Sequence, residues 1–434
     1  MIPKKVTVTD GVTLSYIRTN KFKTGILTFT VPFSLNRENL VYNTLLPGVL
    51  RRGTRRYPSM AALNRRLDEL YATCVELRSQ RIGKNLTLSL TAELLDDSYA
   101  PPGAKILEGV VELVAEILLH PDLEGGFFRV KPLEQEIRFA VDSIRGEINN
   151  TRAYAAIRCA ELMHRDDPDY PTLTELEAQI QKVDAPSLTR YYQNTVLPSH
   201  LQVFYVGSAS IEQVSLLLNT YFSSWQCKKV YMPVLPMAEK STGFLRVNEP
   251  MPVSQGKLAM GFRTGVCVSP NNDRSHVMLV LNEIFGASPV SKLFMNVRER
   301  MSLCYYCSSA YNRYNGILTV SCGIDSKNEA VARQAILDQL HDIQKGQISD
   351  AEFCAALVSL ENSYRAIDDN PIELQTFYGN REFFGLSGSI DECRDKLRSV
   401  TKEQIVSLAG QIELDTVFFI EGTKVCAEQE ADDE

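Results

Sequence analysis

Five histidines and ten cysteines are the side chains of this 434-residue chain best suited to hold a metal or act as nucleophiles. Their spacing decides whether they can. His120, His164, His200, His276 and His341 are never closer than 36 positions. A helical metal site needs two ligands one turn apart on one face, and no histidine has such a neighbour. His164-Arg165-Asp166-Asp167 reads as a polar helix end, where an imidazole takes a structural role near the negative end of the dipole. His276 reads as packed on its own helix. Cys304-x-x-Cys307 has the spacing of a zinc or redox motif. It lies in an alternating stretch, however, where residues three apart face opposite sides of a strand, so no metal or redox role is expected; Cys322 reads as a small core residue. The pairs Arg51-Arg52, Arg55-Arg56 and Arg65-Arg66 form a local basic run, either a solvated face or a surface for an acidic partner. No glycine-rich phosphate loop occurs.

The elements that position these residues are written twice. Thr24–Val31 alternates as a strand, Leu40–Leu50 has helical spacing, and Ser59–Tyr71 places Met60, Leu63, Leu67 and Leu70 on one helical face. Strands Thr73–Ser79 and Asn85–Thr91 follow around Gly83-Lys84-Asn85. The second half repeats this order: strand Gly256–Phe262, helices Asp273–Phe285 and Ser291–Arg300, then strands Cys304–Tyr311 and Gly316–Gly323. The segments LRSQRIGKNLTLSL and SSAYNRYNGILTVSC take the same place in each half. Long helices come next, Lys105–Leu119, Pro132–Arg145 and Arg152–Met163 in the first half, Lys327–Gln344 and Ser349–Ile367 in the second. Ser349-Asp350-Ala351-Glu352 supplies an N-cap and an acidic first turn. Each half closes on an apolar strand, Leu201–Val206 or Thr416–Glu421. The pattern predicts a duplicated α+β protein: an N-terminal domain over 1–223, a Pro-containing linker over 224–243, a C-terminal domain over 244–425, and an acidic tail over 426–434.

With 44% hydrophobic and 23% charged residues the composition is that of a soluble globular protein. A net charge of −7 gives no electrostatic reason to bind nucleic acid or an anionic membrane. No apolar run is long enough to span a bilayer. The opening Met1-Ile-Pro-Lys-Lys-Val predicts no signal peptide, and the scattered cysteines suit a reducing cytoplasm.

Two stretches, at matching points of the duplicated unit, carry a resemblance. Leu46-Pro47-Gly48-Val49-Leu50-Arg51-Arg52-Gly53-Thr54 resembles the segment after the inverted zinc motif of the pitrilysin, insulysin and mitochondrial processing peptidase family. Val297-Arg298-Glu299-Arg300-Met301-Ser302-Leu303-Cys304-Tyr305-Tyr306 is similar to that family's second-half signature. The resemblance implies two pitrilysin-type α/β sandwich units. In active members H-x-x-E-H supplies two zinc ligands and a general base, and a distant Glu the third ligand. Counting back from Gly53-Thr54 puts the ligand positions on Thr44 and Gly48 and the base on Pro47. The third ligand falls on Ser143, one helical stripe beyond Glu136, while Glu134 and Glu147 read as a solvated face. None of these can do the work, and Pro47 also disfavours a regular helix there.

The family's second half supplies an Arg and a Tyr seven residues apart that reach the substrate, and those positions match Arg298 and Tyr305. A guanidinium can hold a carbonyl or carboxylate and a phenol a developing oxyanion. The resemblance therefore implies a zinc-less, non-catalytic homologue that pairs with a zinc-bearing sister chain. It would bring peptide-binding contacts and bind no cofactor itself, zinc residing in the partner. A homodimeric scaffold without proteolysis is the alternative. Similar zinc-less bacterial homologues are associated with elongation factor P modification, a link that comes from the resemblance alone.

Overall fold

The computed structural model describes residues 2–423, apart from 229, 240, 242 and 271–273. The acidic tail and Asp273 lie outside the described residues. Thirteen strands are defined among them. In the first half these are β1 (Lys4–Thr9), β2 (Val12–Arg18), β3 (Thr24–Ser34), β4 (Cys74–Ile82), β5 (Asn85–Leu95), β6 (Leu123–Glu124), β7 (Phe127–Phe128) and β8 (Leu201–Gly207). The second half holds β9 (Leu245–Met251), β10 (Gly256–Arg263), β11 (Cys304–Asn312), β12 (Ile317–Ile324) and β13 (Glu413–Gly422).

The duplication is explicit in the strand order. One sheet runs β1-β2-β8-β3-β5-β4 and the other β11-β12-β10-β13-β9. Read from its other edge, the second is β9-β13-β10-β12-β11, which matches β2-β8-β3-β5-β4 strand for strand. The pairs β2–β8 and β9–β13 are both parallel, and the other pairings in each sheet antiparallel. β1 is an addition, joined to β2 through Asp10-Gly11, with Gly11 at φ 79°, the left-handed region that glycine enters without strain.

The chain divides into two compact units interleaved in sequence. One comprises residues 1–144, 171–235 and 366–389; the other comprises 145–170, 236–365 and 390–434. The expected contiguous domains are thus corrected: each half lends a helix to the other's unit. Packing gives the reason. Helix Thr151–Met163 buries Ala155, Cys159 and Met163 against Ala259, Phe418 and Ile420. The helix sits so close that a Cβ on Gly261 would stand 2.2 Å from Met163 Sδ. Helix Pro371–Phe383 lies over β3 and β8 in the first unit. It opens on Asn370, whose side chain accepts from the Ile372 and Glu373 amides, with proline at the first helical position.

In the first unit, helices Arg37–Arg51 and Ile106–Leu119 fill the other side of the sheet. The latter buries ten of its residues, Ile106 to Leu118, each large aliphatic one contributing roughly 1.5–3 kcal/mol. Helix Arg37–Arg51 runs through Pro47, contrary to the expected break. Pro47 removes one N–H, at a cost of about 3 kcal/mol. Burial of Val41, Leu45, Leu46, Val49 and Leu50 outweighs that loss and holds the turn helical.

Candidate functional site

Thr44, Pro47 and Gly48 share the last turns of helix Arg37–Arg51. Thr44 is turned back on its own helix, its hydroxyl donating to the Leu40 carbonyl at 2.8 Å. Gly48 leaves a gap that is already filled: a Cβ there would stand 2.0 Å from Glu136 Oε2. Glu136 comes from helix Val130–Gly146, and its other oxygen accepts from Arg52 Nε and Nη2, each at 2.5 Å. The pair is largely covered, Arg52 and Glu136 side chains being 22% and 17% exposed, and Phe139 lies under the guanidinium at 5.6 Å. Ser143, expected at the third-ligand position, is exposed. The carboxylate that faces Gly48 is Glu136, two turns earlier. Thr44, Gly48 and Ser143 do not fit a zinc ion, and an arginine salt bridge occupies the space where a second histidine would project.

Arg298 and Tyr305 flank the turn between the helical segment Leu293–Arg300 and β11. That turn contains Ser302 at φ 51°, a left-handed conformation uncommon outside glycine. Arg298 lies over the Phe294 ring at 4.5 Å, with its side chain 39% exposed and its Nε 3.5 Å from Glu299. Tyr305 is 72% exposed. The pairing shows why: Cys304 opposes Ile324 and Tyr306 opposes Gly323, so Tyr305 is the extra residue of a β-bulge in β11. Bulges re-aim side chains out of a sheet's regular alternation.

The same bulge corrects the reading of Cys304-x-x-Cys307. One inserted residue turns an i, i+3 pair from opposite faces to the same face. Cys304, Cys307 and Cys322 consequently converge, all three sulfurs lying within 4.8 Å of one another. Cys307 and Cys322 are cross-strand partners, 3% and 0% exposed, and Cys304 is half-buried. Hydrogen bonds from the Cys307 and Cys322 thiols hold the Cys304 thiol well below its ordinary pKa, the Arg298 cation assists, and burial opposes. The other two thiols are pushed up, chiefly by bonding to Cys304.

His164 ends helix Thr151–Met163 and is structural: its ring stacks on Tyr170 at 4.2 Å and Nδ1 donates to the Ala160 carbonyl at 2.7 Å. The basic run is largely tied up internally, Arg51 with the Val75 carbonyl, Arg52 with Glu136, Arg56 with Glu112, and Arg66 with Glu69 at 3.2 Å. Arg55, Arg56 and Arg65 remain exposed. On the sheet face beneath helix Pro371–Phe383 the first unit has a polar cavity of about 80 Å³, lined in part by Ser15, Thr28, Thr30, Gln202, Asn380 and Glu382. Composition did not indicate it, although alternation in Thr24–Val31 puts Thr28 and Thr30 on one face.

Two α/β units of matching strand order, the first with an ion pair where a zinc ligand was expected, make up a fold shared with M16-type peptidases. Residues 182–359 match the family described as "Peptidase M16 inactive domain". The chain is 29% identical over 415 residues to "Probable inactive metalloprotease YmfF" of Bacillus subtilis (strain 168), covering 95% of this chain and 96% of that protein. It is 23% identical over 249 residues to "Uncharacterized zinc protease YmxG" of the same organism, covering 56% and 58%. The fold is also that of a conserved protein from Enterococcus faecalis V583, with TM-score 0.90 and 24% identity over 98% of this chain and all of that one. The chain is thus similar to M16-type peptidases, by a matching segment and by a relative over nearly its whole length, and has a fold that such proteins share. No described helix is long and apolar enough to cross a membrane.

Proposed function

We propose that this chain is the non-zinc subunit of a cytoplasmic heterodimeric peptidase, with Arg298 and Tyr305 as its contribution to peptide binding and transition-state stabilisation. The observation that carries the reading is Tyr305. A large aromatic stands 72% exposed on a bulge, and its phenol makes no hydrogen bond among the described residues. Such a residue adds little to stability, whereas a free phenol can donate to an oxyanion and an exposed guanidinium can grip a carbonyl or carboxylate. Zinc and the general base come from the partner, for which a relative named as a zinc protease provides the type.

The test mixes this chain with a zinc-bearing M16 homologue from the same cell and follows cleavage of a fluorogenic peptide library. Activity should need both chains and fall at least about 100-fold with Tyr305→Phe, the size of losing one oxyanion donor. Full activity of the mixture with both Arg298→Ala and Tyr305→Phe would rule the role out. The alternative is a homodimeric scaffold that binds peptide without cutting it. Light scattering showing a homodimer indifferent to any zinc-bearing partner would support that alternative.

A further inference from the structure

We infer that Cys304, Cys307 and Cys322 form a three-thiolate site for a soft d¹⁰ metal ion of the zinc class. The site is built by the fold. β11 and β12 place Cys307 opposite Cys322, and the Tyr305 bulge swings Cys304 onto the same face. Three sulfurs within 4.8 Å of one another need to close by only about 1 Å. Ligands at a Zn–S distance of about 2.3 Å lie roughly 3.8 Å apart. An all-sulfur donor set with neither imidazole nor carboxylate selects thiophilic ions over hard ones.

Charge and exposure narrow the choice. Three thiolates leave one net negative charge around Zn²⁺ and two around Cu⁺, and the cations that reach the cluster are Arg298, at Cys304, and Lys257, at Cys322. Cys307 and Cys322 are buried and Cys304 is half-buried, so access, and room for a water as fourth ligand, lie on the Cys304 side. Binding Zn²⁺ displaces thiol protons to solvent as the sulfurs ligate, and the metal remains divalent throughout. The ion would clamp the two strands and the bulge, fixing the backbone from which Tyr305 projects.

The experiment uses the full reduced chain, loaded with one equivalent of Zn²⁺, desalted and assayed for metal, with affinity from competition against a chromophoric chelator. Co²⁺ serves as the optical probe, through its sulfur-to-metal charge-transfer band. We expect about one zinc per chain and a thermal midpoint that rises with zinc. Cys304→Ser, Cys307→Ser and Cys322→Ser should each weaken binding at least about 100-fold. Cys74→Ser and Cys354→Ser, at exposed cysteines outside the cluster, should not change it. Cys304→Ser is the decisive variant, because its half-buried position spares the core and a circular dichroism spectrum verifies the fold. A reduced wild-type chain that keeps no zinc after desalting, or zinc and cobalt binding unchanged in folded Cys304→Ser, overturns the inference. Peptidase activity of the two-chain mixture plays no part in these readouts, so the site stands or falls independently of the proposed function.

Discussion

Adding one methyl group at Gly48 should destabilise the protein, and the same methyl should stabilise it once Glu136 is gone. An ideal Cβ at Gly48 would lie 2.0 Å from Glu136 Oε2 and 2.5 Å from its Cδ, far inside the roughly 3.5 Å of a relaxed contact. The carboxylate must move by more than about 1 Å, breaking both of its contacts to Arg52 at 2.5 Å. A largely covered, charge-assisted interaction of this kind contributes about 1.5–3 kcal/mol. Against that, Gly→Ala inside a helix gains about 1 kcal/mol. The net for Gly48→Ala is a loss of about 0.5–2 kcal/mol. In a Glu136→Ala background only the helix term survives, so the sign inverts to a gain of about 1 kcal/mol, with a coupling energy of about 1.5–3 kcal/mol. Urea unfolding of the four proteins, followed by tryptophan fluorescence, measures this directly. Trp225, the chain's one tryptophan, is 2% exposed and lies in the unit that carries Gly48. If Gly48→Ala stabilises both backgrounds equally, the carboxylate is not locked in the former ligand space and the account of the filled site is wrong.

Pro47→Ala restores a helical N–H and should stabilise the first unit by up to about 3 kcal/mol, seen as a higher midpoint in the same titration. Arg263 contacts Asp415 at 3.2 Å and Glu239 at 3.0 Å, and Asp415 is fully buried; Arg263→Met should cost about 3–5 kcal/mol by orphaning that carboxylate, and Arg263→Met with Asp415→Leu should recover most of it. Asp96 is 5% exposed and accepts from Ser98 and Ser208. Burial raises its pKa, but these hydrogen bonds outweigh it and leave the group below its ordinary 3.8. A depressed folded pKa means the stabilisation is complete well above pH 3.8 and drains as pH falls through the folded value. The deficit of Asp96→Asn should therefore be constant from pH 7 to about 5 and shrink below about 3.8, as thermal melts across that range would show.

Periodicity and duplication made most of the fold legible, because every long element with one apolar face announces its period. Asp10-Gly11 is a hairpin signal that could have revealed β1 and β2, and Asn370-Pro371 a helix start that could have revealed Pro371–Phe383. The exchange of helices between units could not be read that way: periodicity says which face of Thr151–Met163 is buried but not which sheet it meets. The site was legible by subtraction, since the absence of histidine at Thr44 and Gly48 needs no coordinates. What replaced the metal was not, because Glu136 reaches Gly48 across 88 positions of sequence. The cysteine cluster was misread for a local reason: alternation holds only while the register does, and one bulge at Tyr305 reverses the face of everything before it.

Gly48 and Tyr305 contrast, and stability explains only one of them. At Gly48 the space beside the helix holds an ion pair that contributes to folding, so packing accounts for this position without any function. At Tyr305 the reverse holds. A bulge interrupts the ladder of β11, a left-handed Ser302 precedes it, and the side chain so displayed is 72% exposed. Each of these features disfavours folding or leaves it unimproved. That local cost is what the proposed role, presenting Tyr305 to a partner chain, would account for. The converging cysteines give that geometry a means of being held, because a metal bound by Cys304, Cys307 and Cys322 spans the bulge and would make its deletion expensive.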